Sequence, residues 1–344
     1  MTHKRISLLG TGAIVLALVG CTPAAPGTPS PATSGPSAAA FVGTKSFTFP
    51  FSSPGISDVP LRQAFADLNA AGWDIETIDI GTPEVLAEGL AKGDFAFSTE
   101  STTSALLAAQ AGAPIRIVAT YARNAWTMYA ATEVKTCADL DGKRVAIHSA
   151  TASTTAMQNT WIAKECAGTE PEIVVLPGSP NRAAALQQGV ISATALELAD
   201  TVALEATDDN DEYHLLTSFA EGLPDLRPST IYTTQKFLDE NPDTVKGILR
   251  ALLDVHRKIA TDPAYLREIT IAQYPDVAMD TLDEVVDLYT EQNIFPVNGD
   301  LTEDAIAYTI DFYTKVGVVK PGLKAADLAG LAPLNAVLDE IGRK

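Results

Sequence analysis

The chain is poor in positive charge, in histidine and in cysteine. It carries 24 Lys and Arg against 43 Asp and Glu, a formal charge of −19. A surface of that sign repels phosphate backbones, which excludes nucleic acid as a partner. The four histidines, His3, His148, His214 and His256, are spread too widely for the short ligand spacings of a zinc site. No G-x-S-x-G elbow, S-x-x-K, H-E-x-x-H or P-loop occurs, so the common hydrolytic and phosphoryl-transfer chemistries lack their residues, and no metal or cofactor is implied. Long apolar runs are scarce as well. The stretch from Ile6 to Val19 is broken by Gly10 and Gly12 and falls short of the roughly 20 residues that cross a bilayer.

That stretch has another reading. Lys4 and Arg5 precede it and Leu18-Val19-Gly20-Cys21 follows it, which is the order of basic end, apolar core and small residue before a cleavage point. The pattern resembles the signals of bacterial lipoproteins. Residues 1–20 are then expected to leave, taking the charge from −19 to −21 with Lys4 and Arg5, and Cys21 to carry diacylglycerol at the outer face of the cytoplasmic membrane. An ordinary signal or short anchor with an incidental cysteine is the alternative. Residues 21–44 are almost all Pro, Ala, Ser, Thr and Gly; with so little to bury, they are expected to form a disordered tether. Assigning Cys21 to lipid leaves Cys137 and Cys166. Cys137 precedes a predicted strand and Cys166 ends the helix after it, so the two ends meet and an exported chain is expected to join them in a disulfide; two unpaired thiols are the alternative.

Short apolar runs then alternate with helical patterns, the signature of an α/β protein with mainly parallel sheets. Strands are expected at 45–50, 73–80, 95–97, 115–120 and 128–132, with helices at 60–71, 83–92 and 102–111. A second unit of the same kind has strands at 144–148, 173–176 and 193–196 and helices at 153–166 and 182–188. The remainder is helical in pattern, ending in a predicted helix over 325–341. Two α/β units in series predict two lobes.

Several segments resemble the periplasmic solute-binding proteins for nitrate, sulfonates, taurine and thiamine precursors. Glu88-Gly89-Leu90-Ala91-Lys92-Gly93-Asp94 is similar to their A-L-x-x-G-D element, and Asp139-Leu140-Asp141-Gly142-Lys143-Arg144-Val145-Ala146 to their L-K-G-K-x-V-A entry into the second lobe. Arg182-Ala183-Ala184-Ala185-Leu186-Gln187-Gln188-Gly189 resembles the A-A-L-x-x-G helix, although Ser192 stands where Asp is usual. Phe237-Leu238-Asp239-Glu240-Asn241-Pro242 resembles F-L-x-x-N-P-E. The resemblance implies an α/β, two-lobed periplasmic-binding-protein-like fold of type II. Lobe 1 would comprise 45–131 and 229–344, with the helical C-terminal part packed on it, and lobe 2 would comprise 132–228. Two crossover strands, near Thr127 to Glu133 and Ser229 to Thr234, would form the hinge. It also implies a monomeric receptor that takes a small molecule or oxyanion between its lobes and passes it to an ABC-transporter permease with its ATPase. The alternative the resemblance carries is an exported enzyme related to thiamine-pyrimidine biosynthesis; a purely adhesive lipoprotein would need no cleft.

In open α/β sheets ligands sit beyond the carboxyl ends of strands, where helix starts offer free N–H groups. That rule selects Ser52, Ser53 and Gly55; Glu100, Ser101 and Thr102; Tyr121, Arg123 and Asn124, with Trp126 nearby; Ser149, Thr151, Ser153 and Thr154; and Glu197. The hydroxyls suit an anion or simply cap helices. Arg123 pairs with an anionic ligand or a neighbouring carboxylate. Glu100 and Glu197 favour an amine-bearing ligand instead, or serve as surface acids, and Tyr121 and Trp126 stack on a flat ligand or pack in the core. His148 ends a strand facing the predicted cleft and either touches ligand or, the commoner role, is an ordinary packed or solvated histidine. The ligand's charge stays open at this point.

Overall fold

The computed structural model describes residues 44–52, 55–80, 83–99, 101–275, 277 and 279–344. The expected signal, the lipidated Cys21, nearly all of the tether, Ser53 and Glu100 lie outside them.

β1 (Ser46–Phe51) places Phe47, Phe49 and Phe51 on one face, because side chains two apart share a side of a strand. All are buried, against Phe65 of α1 (Val59–Ala70), whose ring centroid lies 4.6 Å from that of Phe49. β2 (Asp74–Asp79) returns parallel to β1. α2 (Pro83–Lys92), β3 (Phe97–Ser98), α3 (Thr102–Gln110) and β4 (Ile115–Ala122) complete the first unit. Phe97 joins β3 to β1 through its ring contacts with Phe47 and Phe49.

The chain then crosses directly into a second sheet as β5 (Trp126–Ala131). There follow β6 (Arg144–Ile147), α4 (Ser153–Glu165), β7 (Glu172–Val175), α5 (Ser179–Gln187), β8 (Ala193–Glu197), α6 (Leu198–Glu205), β9 (Tyr213–Ser218) and α7 (Phe219–Gly222). β10 (Ser229–Thr234) crosses back. The C-terminal part is helical: α8 (Gln235–Glu240), α9 (Pro242–Thr261), α10 (Pro263–Gln273), α11 (Met279–Glu291), α12 (Glu303–Lys315), α13 (Ala325–Leu328) and α14 (Ala332–Ile341). α9 buries Val245, Ile248, Leu249, Leu252 and Ile259 at helical spacing and packs on α1 and α14. Each such side chain contributes about 1.5–3 kcal/mol on burial.

The second sheet has the order β7-β6-β8-β5-β9, and the strands of the first unit include the set β3-β10-β4. β6 pairs parallel with β7 and β8, whereas β5 and β10 run antiparallel to every neighbour. The parallel sheets expected from the alternating pattern are therefore mixed. The reason lies in the crossings: a strand arriving from the cleft enters its new sheet at the carboxyl ends of the resident strands and must run against them. With only Arg123 to Ala125 between β4 and β5, no helix is available to carry the chain round to the other end.

Three elements, α6, β9 and the single-turn α7, have no counterpart in the sequence expectation. α6 begins on the residue after β8 with no Gly or Pro between, and β9 is a half-exposed edge strand without clean alternation. The single helix expected over 325–341 is two. Gly330 donates its N–H to Ile117 O at 2.8 Å instead of continuing a helix, and a Cβ there would stand 3.0 Å from Arg116 Cβ. Cys137 and Cys166 are joined by a disulfide with Cα atoms 5.2 Å apart, tying the entrance of β6 to the end of α4. No helix among the described residues is long and apolar enough to cross a membrane.

Candidate functional site

The carboxyl ends of the strands from both sheets converge on one cavity. The first unit supplies Gly55, Ser57 and Asp58 after β1, Ser101 after β3 and Tyr121 at the end of β4. The second supplies His148, Ser153 and Thr154 after β6, Ser179 after β7 and Glu197 at the end of β8. Trp126 and Ser229, the first residues of the two crossing strands, close the sides. The cavity is partly open to solvent and has a volume of about 70 Å³, room for several waters or a small molecule.

Hydrogen bonds between the two units bridge this cavity. Ser101 Oγ lies 3.0 Å from Ser153 Oγ and accepts the Ser153 N–H at 3.0 Å, so a residue of the first unit caps the start of α4 in the second. Ser57 Oγ and Tyr289 OH donate to Glu197 Oε1, the latter at 2.9 Å. Glu84 on α2 accepts from Ser149 Oγ at 2.6 Å and from Thr151 Oγ1. Burial alone would raise the Glu84 carboxyl, but those two hydroxyls outweigh it and hold its pKa below the usual glutamate range. Because the folded pKa is depressed, the clasp contributes fully above the ordinary value near 4.5 and is lost as pH falls through the lowered one. On acidification from about pH 6 to pH 3, thermal midpoints should fall more steeply for the wild type than for Glu84→Gln. Parallel curves would show that the clasp adds nothing.

Behind the cavity Arg182 is fully buried. Its Nε and Nη2 donate to Ala195 O at 3.1 and 3.0 Å, its Nη1 donates to Leu176 O at 3.3 Å, and its guanidinium lies 5.9 Å from the Trp126 ring centroid. Burial lowers its pKa to about 10, with Asp200 and Glu197 opposing the shift. Asp200, on the first turn of α6, is raised to about 7 by burial and by Glu197. His148 is pushed down to about 4 by burial and then by Arg182. Its Nδ1 accepts the Gly178 N–H at 3.2 Å, which places the ring proton on Nε2.

The structure gathers Ser101, Tyr121, Ser153, Thr154 and Glu197 from the sequence-selected loops, together with Gly55, Trp126 and His148. The others are engaged elsewhere. Arg123 Nε binds Asp300 Oδ2 at 2.8 Å, the carboxylate-partner alternative of its two readings. Asn124 Nδ2 donates to Phe219 O at 3.0 Å and braces the crossing. Thr102 donates to Arg227 O at 2.6 Å, facing into the first unit, and Ser52 is buried outside the cavity wall. Ser149 and Thr151 belong to the clasp on Glu84. Ser57, Asp58, Ser179 and Ser229 were not selected from sequence. Ser179 directly follows the strand-end turn at Gly178 and was reachable by the same rule; Ser57 and Asp58 lie one turn past the residues chosen.

Residues 68–265 match the family model described as NMT1/THI5 like. The chain belongs to the NMT1/THI5-like family. The matched span runs from within α1 into α10 and so contains every cavity residue named above except Gly55, Ser57 and Asp58. Among solved structures, the periplasmic nitrate-binding protein NrtA of Synechocystis PCC 6803 superposes with a TM-score of 0.70 at 11% identity over 87% of this chain and 89% of that one. The alkanesulfonate-binding protein SsuA of Xanthomonas axonopodis pv. citri, bound to MOPS, gives 0.65 at 19% identity over 83% and 98%. A zinc-bound ligand-binding component of an ABC-type import system from Staphylococcus aureus gives 0.66 at 13% identity over 85% and 98%. No curated protein matches in sequence. This NMT1/THI5-like chain therefore has the two-lobed periplasmic-binding-protein fold expected of it. Among its described residues no cluster of His, Cys, Asp or Glu is disposed to hold a metal ion.

Proposed function

We propose that the protein is the extracytoplasmic solute-binding component of an ABC-type importer, which closes two lobes over a small molecule and presents it to a permease and its ATPase. The observation that carries this reading is the cavity itself: strand ends of both sheets line it, and hydrogen bonds between the lobes bridge it. A ligand touching both walls binds the closed form better than the open one, and that difference in affinity is what shifts the population. The hinge lies where β4 passes to β5 and where the chain enters β10. The membrane attachment belongs to the same reading, with a signal over 1–20, diacylglycerol on Cys21, a tether to residue 44, lobe 1 over 45–131 and 229–344, and lobe 2 over 132–228.

The Ser101 and Ser153 hydroxyls pair with each other and not with His148. These two serines therefore form no serine–histidine couple of the kind the enzymatic alternative would use. A thermal-shift screen of sulfonates, nitrate, aromatic acids, pyrimidines and amines should yield at least one stabilising class, since a ligand at 100 times its Kd adds about 2.7 kcal/mol. Small-angle scattering should then show compaction with that ligand. A tight ligand that leaves the scattering unchanged would overturn the proposal.

A further inference from the structure

We infer that the cleft selects a solute bearing an amine or similar cationic N–H group, held at Glu197, together with a hydrogen-bond acceptor, held at His148, and that it discriminates against sulfonate and nitrate. The inference rests on the solute-binding reading and names the class of solute. It begins with charge. Asp58 and Glu197 line the cavity and no Lys or Arg is among its described lining residues; the Arg182 guanidinium lies behind Trp126 and is committed to the carbonyls of Leu176 and Ala195, so an entering anion meets two carboxylates at the wall and no cationic side chain to pair with. At the helix start that would otherwise attract an anion, the first N–H is already taken, because Ser101 Oγ accepts the Ser153 N–H at the head of α4 from across the cleft.

Glu197 is placed to receive a donor. Its Oε1 takes the hydroxyls of Ser57 and Tyr289; burial, and then Glu197 itself, raise the Tyr289 pKa well above the ordinary value, so that hydroxyl keeps its proton and donates it to the carboxylate. Its Oε2 accepts no hydrogen bond among the described residues and sits against Gly55, where a Cβ would approach to 3.0 Å. A larger residue there would press on that oxygen and make it shift.

His148 supplies the complementary group. It is 7% exposed and lines the same cavity. With Nδ1 occupied by the Gly178 N–H, the ring carries its proton on Nε2, and that atom has no partner among the described residues. A buried N–H without an acceptor is costly, and a ligand carbonyl or ring nitrogen relieves the cost. Trp126 provides a flat wall between them, backed by the Arg182 guanidinium.

Calorimetric titration of the folded protein with four matched probes tests this. 4-(Aminomethyl)pyridine has both groups, benzylamine only the cation, isonicotinate the acceptor with a negative charge, and benzenesulfonate the anion alone. The first should bind at least about tenfold more tightly than either anion, the difference expected of a charge-assisted hydrogen bond. Glu197→Gln should weaken it by a similar factor and leave isonicotinate no weaker. His148→Phe should erase its advantage over benzylamine. Gly55→Ala, at an extended backbone position that any residue adopts, keeps the test valid if Glu197→Gln fails to fold, and should also weaken the amine. Either anion binding as tightly as the amine, or variants that leave the order of the probes unchanged, would overturn the inference. So would failure of all four, and a ligand found in the broader screen would then leave the solute-binding reading standing.

Discussion

Arg182→Ala should lose about 3–5 kcal/mol of folding stability in urea denaturation, because it breaks buried hydrogen bonds and leaves a cavity. Arg182 is among the largest fully buried side chains of the described residues. Its guanidinium spends three N–H groups on two carbonyls, Leu176 O at the end of β7 and Ala195 O on β8. Truncation leaves both acceptors unsatisfied in a place water does not reach freely. The loss should also be felt at the cleft, since Ser179 and Glu197 follow those two strand ends within a few residues, and the Glu197 N–H donates to Ser179 Oγ at 2.9 Å. Arg182→Met separates the contributions: it restores most of the packing but none of the hydrogen bonds, so it should recover part of the stability and little of the ligand affinity. A loss under about 1 kcal/mol for the alanine variant would mean that the carbonyls find other donors.

Removing the disulfide should cost about 3 kcal/mol. Cys137 and Cys166 are 29 residues apart, and in the chain-entropy account a loop of that size restricts the unfolded chain by about 3.5 kcal/mol, of which the folded state usually returns somewhat less. The double variant Cys137→Ser/Cys166→Ser, and the wild type in reducing agent, should lose stability by similar amounts. Ligand affinity should hardly change. The bond lies at the end of α4 remote from Ser153 and Thr154, which are the cavity residues on that helix, so the constraint acts on the unfolded chain and not on the site. A large affinity loss with little stability loss would reverse that assignment.

Much of the fold was legible because it rests on local patterns. The alternating phenylalanines of β1, the Pro60 start of α1, and the helical spacing along α9 each follow from the geometry of one element. What was illegible depended on neighbours. The helix expected over 325–341 is interrupted because Gly330 finds a partner in Ile117, more than 200 residues earlier, and no local propensity encodes that pairing. The reversed crossing strands follow from the direction in which the chain enters a sheet, which a pattern of apolar residues does not record.

The site divides in the same way. The rule that ligands lie beyond strand ends found most of the loops, because it needs only the order of strands and helices. It could not separate cavity from support. Arg123 and Thr102 sit in the right loops with the right chemistry, yet Asp300 and Arg227 claim them, and those partners come from distant segments. His148 went the other way: its place at a strand end put it at the cleft, but only the Gly178 N–H on its Nδ1 fixes which ring nitrogen carries the proton. The sequence by itself determined the α/β class, the lobe pattern, the cysteine pair and the acidic character, because each is a property of composition or of neighbours along the chain. The cavity between the two sheets, the absence of cationic side chains from its described lining and the presence of both Glu197 and His148 in that lining were decided by tertiary structure, because hydrogen bonds and charge act through space between residues that sequence keeps far apart.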